Sequence, residues 1–529
     1  MAFSIEASDY PSIQDAIDDA IANDIPEVRL PEGVTDLSSE LQIPVLASSR
    51  PLILRGRPHR SIDQSVGTTL RADASMRSVL AILSANHRVQ DIKIDADRNA
   101  TYGLYLENTY ASHFDNVLAM NAIADGWHFA SSSSNNNSVR MSGCWAHANG
   151  TTYATSGIAS EYNTLFGTTS TISGTAATTA ASATITISSG PDLTTLGIRK
   201  NDFVRVGGTA STAYFGIISS VTSTTIVVQS QLVPQTTASG LAFAIFVGFG
   251  VNLTEGSNNN ILVVVGGNYR GSSGSNFNVQ GLFGSTFVGC SFEFGHFAGF
   301  SVGRADGSTP VEGTLLDNCY FEANQAAEIW ANQCTNLTIT GPTFGSVNPP
   351  YDIRPHLTTF SPAQGVLQLN GLRTVLQSGA EQDFVFELRN NGGTIEHRFI
   401  SDFLNGGAAA GATRINGQSS SYSTTPSVGS GTGFTAGAGI QGSNRILFDT
   451  AEQPNAAEFR PPSAVVEFDS TGNAPRVYAT RINDNVNGVT LTRFALGFVT
   501  SNGAAFNINT TNIAAGKQIL VRVTGGYIK

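Results

Sequence analysis

The segment around Cys144 comes back twice further along the chain, and that repetition restricts the fold more than any other feature. Ser138 to Asn149 (SVRMSGCWAHAN) aligns with Ser285 to Gly295 (STFVGCSFEFG) and Thr314 to Asn324 (TLLDNCYFEAN), superposing Cys144, Cys290 and Cys319. The stretch from Asn258 (NNNILVVVGGNYRGS) aligns without gaps to that from Asn135. A second strand-like pair follows each copy: Leu104 and Leu106, Trp127 and Phe129, Val251 and Leu253, Phe277 and Val279, Phe300 and Val302, Ile329 and Ala331. From 104 to 127 the step is 23, and later steps are 26, 23 and 29, with one exception of 124 between Trp127 and Val251. A period of 23 to 29 with two or three short strands per repeat defines the coil of a right-handed parallel β-helix, in which each repeat buries its apolar face only by stacking on its neighbours.

The long step equals one coil plus an insertion of roughly 97 residues. Its segments Ala183 to Ile187, Phe203 to Val206 and Thr225 to Val228, separated by turn signals, predict a small β-barrel or sandwich. One helix is predicted, beginning after Ser12 as N-cap, with Asp15 in its first turn and Ile13, Ala16, Ile17, Ala20 and Ile21 on one face, and ending near Asn23. Beyond residue 366 the coil repeat fades into amphipathic strands such as Phe384 to Leu388 and Gln518 to Val523, with a Gly/Ser/Thr-rich, loop-like stretch at 406–442 between them. The expected fold is therefore all-β. Residues 1–45 hold the cap helix and first strands, and 46–149 and 250–365 the parallel β-helix. Residues 150–249 form the inserted small β domain, and 380–529 a C-terminal β-sandwich serving trimerisation or carbohydrate binding.

Composition limits the partners. With 13 % charged residues, a net charge of −11 and only four lysines, the chain has no basic stripe to follow a phosphate backbone, so nucleic acid is not an expected partner. The longest apolar candidate, Leu241 to Leu253, is short and carries two glycines and an asparagine, so no membrane insertion is expected. Met1 to Tyr10 contains Glu6 and Asp9 and lacks the basic and apolar regions of a secretory signal, which points to synthesis in a cytoplasm. The three column cysteines read as small buried hydrophobes. Asp95 to Asn99 resembles the opening of a calcium loop but has Ala100 and Leu106 where a glycine and an acid belong, so it reads as a polar turn. No cofactor or metal is expected.

Tyr10-Pro11-Ser12-Ile13-Gln14-Asp15-Ala16-Ile17, followed by Val28 to Gly33, resembles the opening of pectate-lyase-superfamily β-helices, where a short helix caps the first coil. The turn Asn318-Cys319-Tyr320-Phe321-Glu322-Ala323-Asn324 is similar to coils of bacteriophage tailspikes. The resemblance covers about residues 5 to 360. It implies a homotrimer in a virion tail, attached to a tail or baseplate protein, that binds and cleaves a bacterial surface polysaccharide (capsule or O-antigen) outside the cell, usually by hydrolysis and sometimes by β-elimination. No virion-attachment domain precedes the cap helix here, so that joint is expected to lie outside this sequence or in another protein.

The coil register supplies candidate chemistry. Three positions after the column cysteine stand His147, Arg270, Glu293 and Glu322, with Asp125 expected one coil below His147. Coils rise by about 4.8 Å. Glycoside hydrolysis needs a protonated acid and an ionised base or nucleophile about 5 to 5.5 Å apart for retention and about 6.5 to 9.5 Å for inversion. Glu293 and Glu322 on adjacent coils suit either, and their proximity would raise one carboxyl's pKa. Arg270 would orient a substrate acid or keep Glu293 ionised. With His147 it also suits a lyase, which wants a base and a cation against a uronate. The bland alternative is a solvent-facing turn position with a stacked ion pair, and Asp317, Glu328, Glu161, Asp306 and Glu312 are rival acids. A second column, Tyr105, His128, Asn252, Asn278, Ser301 and Trp330, is expected to face outward with aromatic rings and amides suited to sugar. A non-catalytic glycan-binding fibre is the remaining functional class.

Overall fold

The computed structural model describes residues 3–345 except 46–50, 60–66, 131–135, 163–167, 181, 208–212, 230–233, 235–236, 255–259, 281–282, 304–310, 333 and 336, and beyond 345 the backbone of strands only. Two compact units divide the chain. One comprises Met1–Thr178, Thr184–Gln229 and Ala238–Ser301; the other comprises Val302–Lys529 with Thr179–Ala183 and Ser230–Thr237.

The first unit opens with the cap helix Ile13–Ala22. Ser12 Oγ accepts from the Asp15 N–H at 3.1 Å, satisfying one of the first turn's orphan donors. Ile13, Ala16, Ile17 and Ala20 are buried against the strands Ile5–Glu6, Glu27–Arg29 and Leu41–Ile43.

Three strands per coil then stack in parallel. In the first series Val28, Leu54, Val89, Phe114, Met141, Val264 and Phe287 pair in sequence, every one fully buried. In the second, Leu70, Ile94, Ala119, Ala146, Tyr269 and Phe292 do the same. In the third, Leu41, Leu80, Leu104, Trp127, Val251 and Phe277 line up. Alternation along each three-residue strand sends its middle or flanking apolar residues inward, and a fully buried Phe side chain contributes about 1.5–3 kcal/mol. Phe277 meets Phe287 edge-on at 4.9 Å and Tyr269 at 5.1 Å.

Left-handed residues turn the corners. Asp91, Asn116, Gly143, Gly266 and Gly289 (φ 57°, 52°, 58°, 64° and 62°) separate the first strand from the second, and Asn121, Ala148, Gly271 and Phe294 (φ 59°, 54°, 67° and 55°) end the second. Asn, Asp and Gly tolerate this region, which explains their abundance in the repeat. At Gly267 (φ +101°) only glycine fits, since a Cβ would stand 2.0 Å from the Cys144 carbonyl oxygen. Cys144 and Cys290 are buried, and their Sγ atoms lie 3.2 Å from the Phe114 carbonyl and 3.3 Å from the Gly266 carbonyl.

The insertion forms its own nine-stranded, largely antiparallel sheet that includes Thr184–Ser188, Phe203–Val206 and Thr225–Val228. Its outgoing strand Thr151–Thr155 pairs antiparallel with its returning strand Phe243–Val247, while Trp127 pairs directly with Val251. The coil is thus uninterrupted across the long sequence step. The half-buried Arg98 guanidinium donates to the carbonyls of Ala122, Ala148 and Gly150 at 2.7–2.8 Å, fixing the point of departure; partial burial pulls its pKa down to about 10.

His87 ties the first coils together. Its Nδ1 accepts from the Leu52 N–H (3.2 Å), its Nε2 meets Ser84 Oγ (2.7 Å), and the His87 backbone N–H donates to Ser112 Oγ (3.1 Å). Burial pushes this imidazole down to about 4 from 6.5. The unfolded chain therefore binds the proton more readily, so the stabilisation is complete above pH 6.5 and falls away between 6.5 and 4, by about 3 kcal/mol in total. Urea unfolding followed over that range should show the loss, and His87→Gln should flatten it.

In the second unit the coil Leu315–Asp317, Tyr320–Glu322 and Ala327–Asn332 turns at Asn318 (φ 51°) and Ala323 (φ 58°), and Cys319 is buried. Phe384–Arg389 and Glu396–Ile400, which the sequence reading places in a sandwich beginning at 380, pair in parallel with Leu357–Phe360 and Val366–Asn370. Parallel pairing carries on to Arg445–Asp449, and Ala409–Asn416 is a strand within the stretch read as loop. Antiparallel pairing enters where Gln518–Gly525 joins Ala409–Asn416 and Ser463–Asp469. A period of two belongs equally to a coil strand and a sandwich strand, so the pattern at 384–388 does not separate them.

Candidate functional site

The second-strand series carries a charged column on its outer face. Pairing runs Asp36, Arg71, Asp95, Met120, His147, Arg270, Glu293. His147, Arg270 and Glu293 thus stand on successive coils as expected. Asp125 does not belong to the column: the coil turns at Asn121, which leaves Met120 below His147 and carries Asp125 onto the next side. Asp36 and Arg71 form an ion pair at 2.7 Å. Asp95 Oδ1 accepts from the Asp97 N–H (3.0 Å) and Asn121 Nδ2 (2.9 Å), making 95–99 a polar turn.

At the far end of the column Glu293 is half-buried, and its Oε1 accepts from Asn268 Nδ2 at 2.8 Å and from the Ser291 hydroxyl. Arg270 lies with its guanidinium carbon 5.2 Å from the centroid of Phe294. An aromatic residue in the left-handed region is uncommon and costs of order 1–3 kcal/mol, a strain that collects at functional sites. Strand alternation puts a second row beside the column: Trp145 precedes His147, Asn268 precedes Arg270 and Ser291 precedes Glu293, each by two residues. Sequence reading passed over Trp145, although the period of two from His147 would have found it.

In the second unit Glu322 is half-buried, accepts from the Tyr320 hydroxyl at 2.7 Å and pairs through its backbone with Gly345. Of the rivals, Glu312 is exposed, Asp317 accepts from Asn318 Nδ2, and Asp306 lies outside the described residues. Trp330, expected on the outside, is 1 % exposed. Cys334 is the fourth thiol, pushed up to about 12 by burial.

The other column keeps its register, Tyr105, His128, Asn252 and Asn278, but much of it is buried. Asn252, Asn278 and Ser301 are buried and hydrogen-bond in series: Ser301 Oγ to Asn278 Oδ1 (2.7 Å), Asn278 Nδ2 to Asn252 Oδ1 (2.9 Å), Asn252 Nδ2 to Asp125 Oδ2 (3.1 Å). Asp125 is fully buried and receives a bidentate Arg199 from the insertion at 2.8 Å to each oxygen, together with His128 Nδ1 (2.7 Å) and the Phe249 N–H (3.0 Å). Burial alone would push the Asp125 carboxyl up; the Arg199 guanidinium and His128 outweigh it and hold the group well below the usual carboxylate range. Asp125 is therefore a seat for the insertion and does not face solvent. Phe203 stacks on Phe297 at 3.8 Å, and Thr152 Oγ1 meets His296 Nδ1 at 2.8 Å, completing that seat. Glu161, one of the rival acids, pairs with buried Arg205 at 2.6 Å.

His128 and Tyr105 remain half-buried at the edge of this contact. The imidazole stacks on Tyr102 at 4.1 Å and Tyr105 at 5.6 Å, and Arg77 lies 4.1 Å over Tyr105. The faces of these rings are used by one another, so a sugar would meet their edges. Among the described residues no group of three His, Cys, Asp or Glu side chains is placed to hold a metal ion, and no helix is long and apolar enough to cross a membrane.

No family model matches the chain, and no curated protein matches it. Among solved structures it is similar to the Dettilon tailspike protein (10 % identity over 99 % of this chain and 95 % of that one, TM-score 0.34). It is also similar to the enzymatically active domain of tailspike protein 2 of bacteriophage CBA120 (8 %, 86 % and 52 %, TM-score 0.40) and to an alginate lyase from Paenibacillus sp. str. FPU-7 (12 %, 70 % and 95 %, TM-score 0.35). The parallel β-helix itself rests on the chain's own strand ladders.

Proposed function

We propose that the chain is a tailspike-like endo-acting depolymerase of a bacterial surface polysaccharide, working as a homotrimer on a virion tail and cutting by hydrolysis, with Glu293 and Glu322 as the candidate catalytic carboxylates. The observation that carries the reading is the outer row at Glu293: a carboxylate fixed by Ser291 and Asn268 beside Arg270 and His147 in successive registers. Such a set supplies a fixed oxygen for proton transfer, a guanidinium for an acidic substituent and an amide and a hydroxyl beside them. The insertion is assigned the role of a wall beside this surface, since it leaves the coil within a few residues of His147, where Arg98 donates to the Gly150 carbonyl.

A second reading, β-elimination on a uronate, is favoured by the pairing of His147 with Arg270, which sets a base and a cation on neighbouring strands about 4.8 Å apart. Incubation with purified bacterial polysaccharides separates the possibilities. Hydrolysis releases reducing ends without ultraviolet absorbance from an unsaturated uronate; elimination gives both. Binding of a glycan with neither signal would leave a non-catalytic fibre and defeat the enzyme reading.

A further inference from the structure

We propose that Trp145 is a sugar-stacking subsite on the outer face next to Glu293, taking the apolar face of a pyranose ring of the bound polysaccharide. The inference rests on the depolymerase reading and adds to it where the glycan lies.

Three observations converge. The chain has three tryptophans; Trp127 and Trp330 are buried at 0 % and 1 % exposure, and Trp145 alone is half-buried. Its strand, Trp145–His147, sends Ala146 inward at 0 % exposure, so the indole and the His147 imidazole share the outer face. The strand is rigidly held: Trp127 Nε1 donates to the Trp145 carbonyl from the core at 3.1 Å, and Leu118 pairs with Trp145 from the coil below. Side chains fixed on scaffold strands make more exact sites than side chains on loops.

The neighbours suit one ligand class. Asn268 and Ser291 occupy the positions beside the indole on the next coils, and both hydrogen-bond Glu293 Oε1. A flat apolar ring flanked by an amide and a hydroxyl fits a pyranoside, whose axial C–H face is apolar and whose rim is hydroxylated. Successive coils rise about 4.8 Å and alternate residues of a strand lie about 6.6 Å apart, so the indole and the Glu293 carboxylate belong to one continuous surface that a polymer can span. His147 and Arg270 line the parallel row, where an acidic substituent of the chain would meet the Arg270 guanidinium.

Tryptophan fluorescence tests this, because the two buried indoles give a constant background. Titrating wild-type protein with the purified polysaccharide that it cuts should change the emission. Trp145→Phe should abolish that change while keeping part of the affinity. Trp145→Ala should raise KM about tenfold with a much smaller effect on kcat, the pattern of a lost stacking contact worth about 1.4 kcal/mol. Circular dichroism of each variant reports its fold. Binding detected by calorimetry without any emission change, or an unaltered KM in folded Trp145→Ala, overturns the subsite and leaves the depolymerase reading standing. Absence of binding to any bacterial glycan defeats that reading and the subsite together.

Discussion

Glu293→Gln should reduce kcat by a factor of about 10²–10⁴ while leaving the thermal unfolding temperature close to wild type. The amide keeps the shape of the carboxylate, and its oxygen can still accept from Asn268 and Ser291. What it removes is the capacity to accept or donate a proton in the transition state. Glu322→Gln, where the Tyr320 hydroxyl can still be satisfied, should have an effect of the same order. The measurement is the initial rate of reducing-end release at saturating polysaccharide, with the fold followed by circular dichroism. Full activity in both variants would overturn the assignment of the two glutamates, and loss in one alone would shift the partner role to another acid.

The second large effect concerns stability. Asp125→Ala should lower the free energy of unfolding by about 1–3 kcal/mol, because buried donors lose their acceptor, while Arg199, a quarter exposed, keeps its contact with Asp202 at 3.2 Å. Arg199 would lose both of its 2.8 Å contacts, and the Phe249 N–H and Asn252 amide would lose their acceptor. The acid limb tests the same network. A carboxyl held below its unfolded value contributes stability that is fully present above about pH 4 and is lost as pH falls toward its folded value. Urea unfolding at neutral pH, repeated in steps down from pH 4, should show wild type losing stability that Asp125→Ala has already lost. Limited proteolysis should cut within 150–249 sooner in the variant. An unchanged midpoint would mean that the insertion is seated by its apolar contacts, the Phe203–Phe297 stack foremost.

Much of this molecule was legible in the sequence because a coil repeats its own constraints. The cysteine column, the inward pairs 104/106 to 277/279 and the alignment of His147, Arg270 and Glu293 follow from side-chain alternation and from a fixed rise between coils, both of which a sequence displays directly. Asp125 was misplaced because the corner after Met120 falls at Asn121, and nothing in the local pattern marks which polar residue makes the left-handed turn. The outward column was read correctly in register and wrongly in exposure: a sequence shows which face a residue takes but not that Asn252, Asn278 and Ser301 are buried and hydrogen-bonded in series. Arg199, the partner that decides the fate of Asp125, lies 74 residues away in the insertion, and only the folded chain brings them together. The end of the coil escaped for a related reason, since strands at 384–400 have the alternation of either architecture.

The central claim, that this β-helix cuts a bacterial surface polysaccharide within its chain, is tested most directly by following the molar mass of the purified polymer during incubation with catalytic amounts of protein. Endo-acting cleavage predicts an early collapse of the high-mass peak on size-exclusion chromatography, abolished by Glu293→Gln. A polymer that binds the protein yet keeps its full mass after prolonged incubation would contradict the claim.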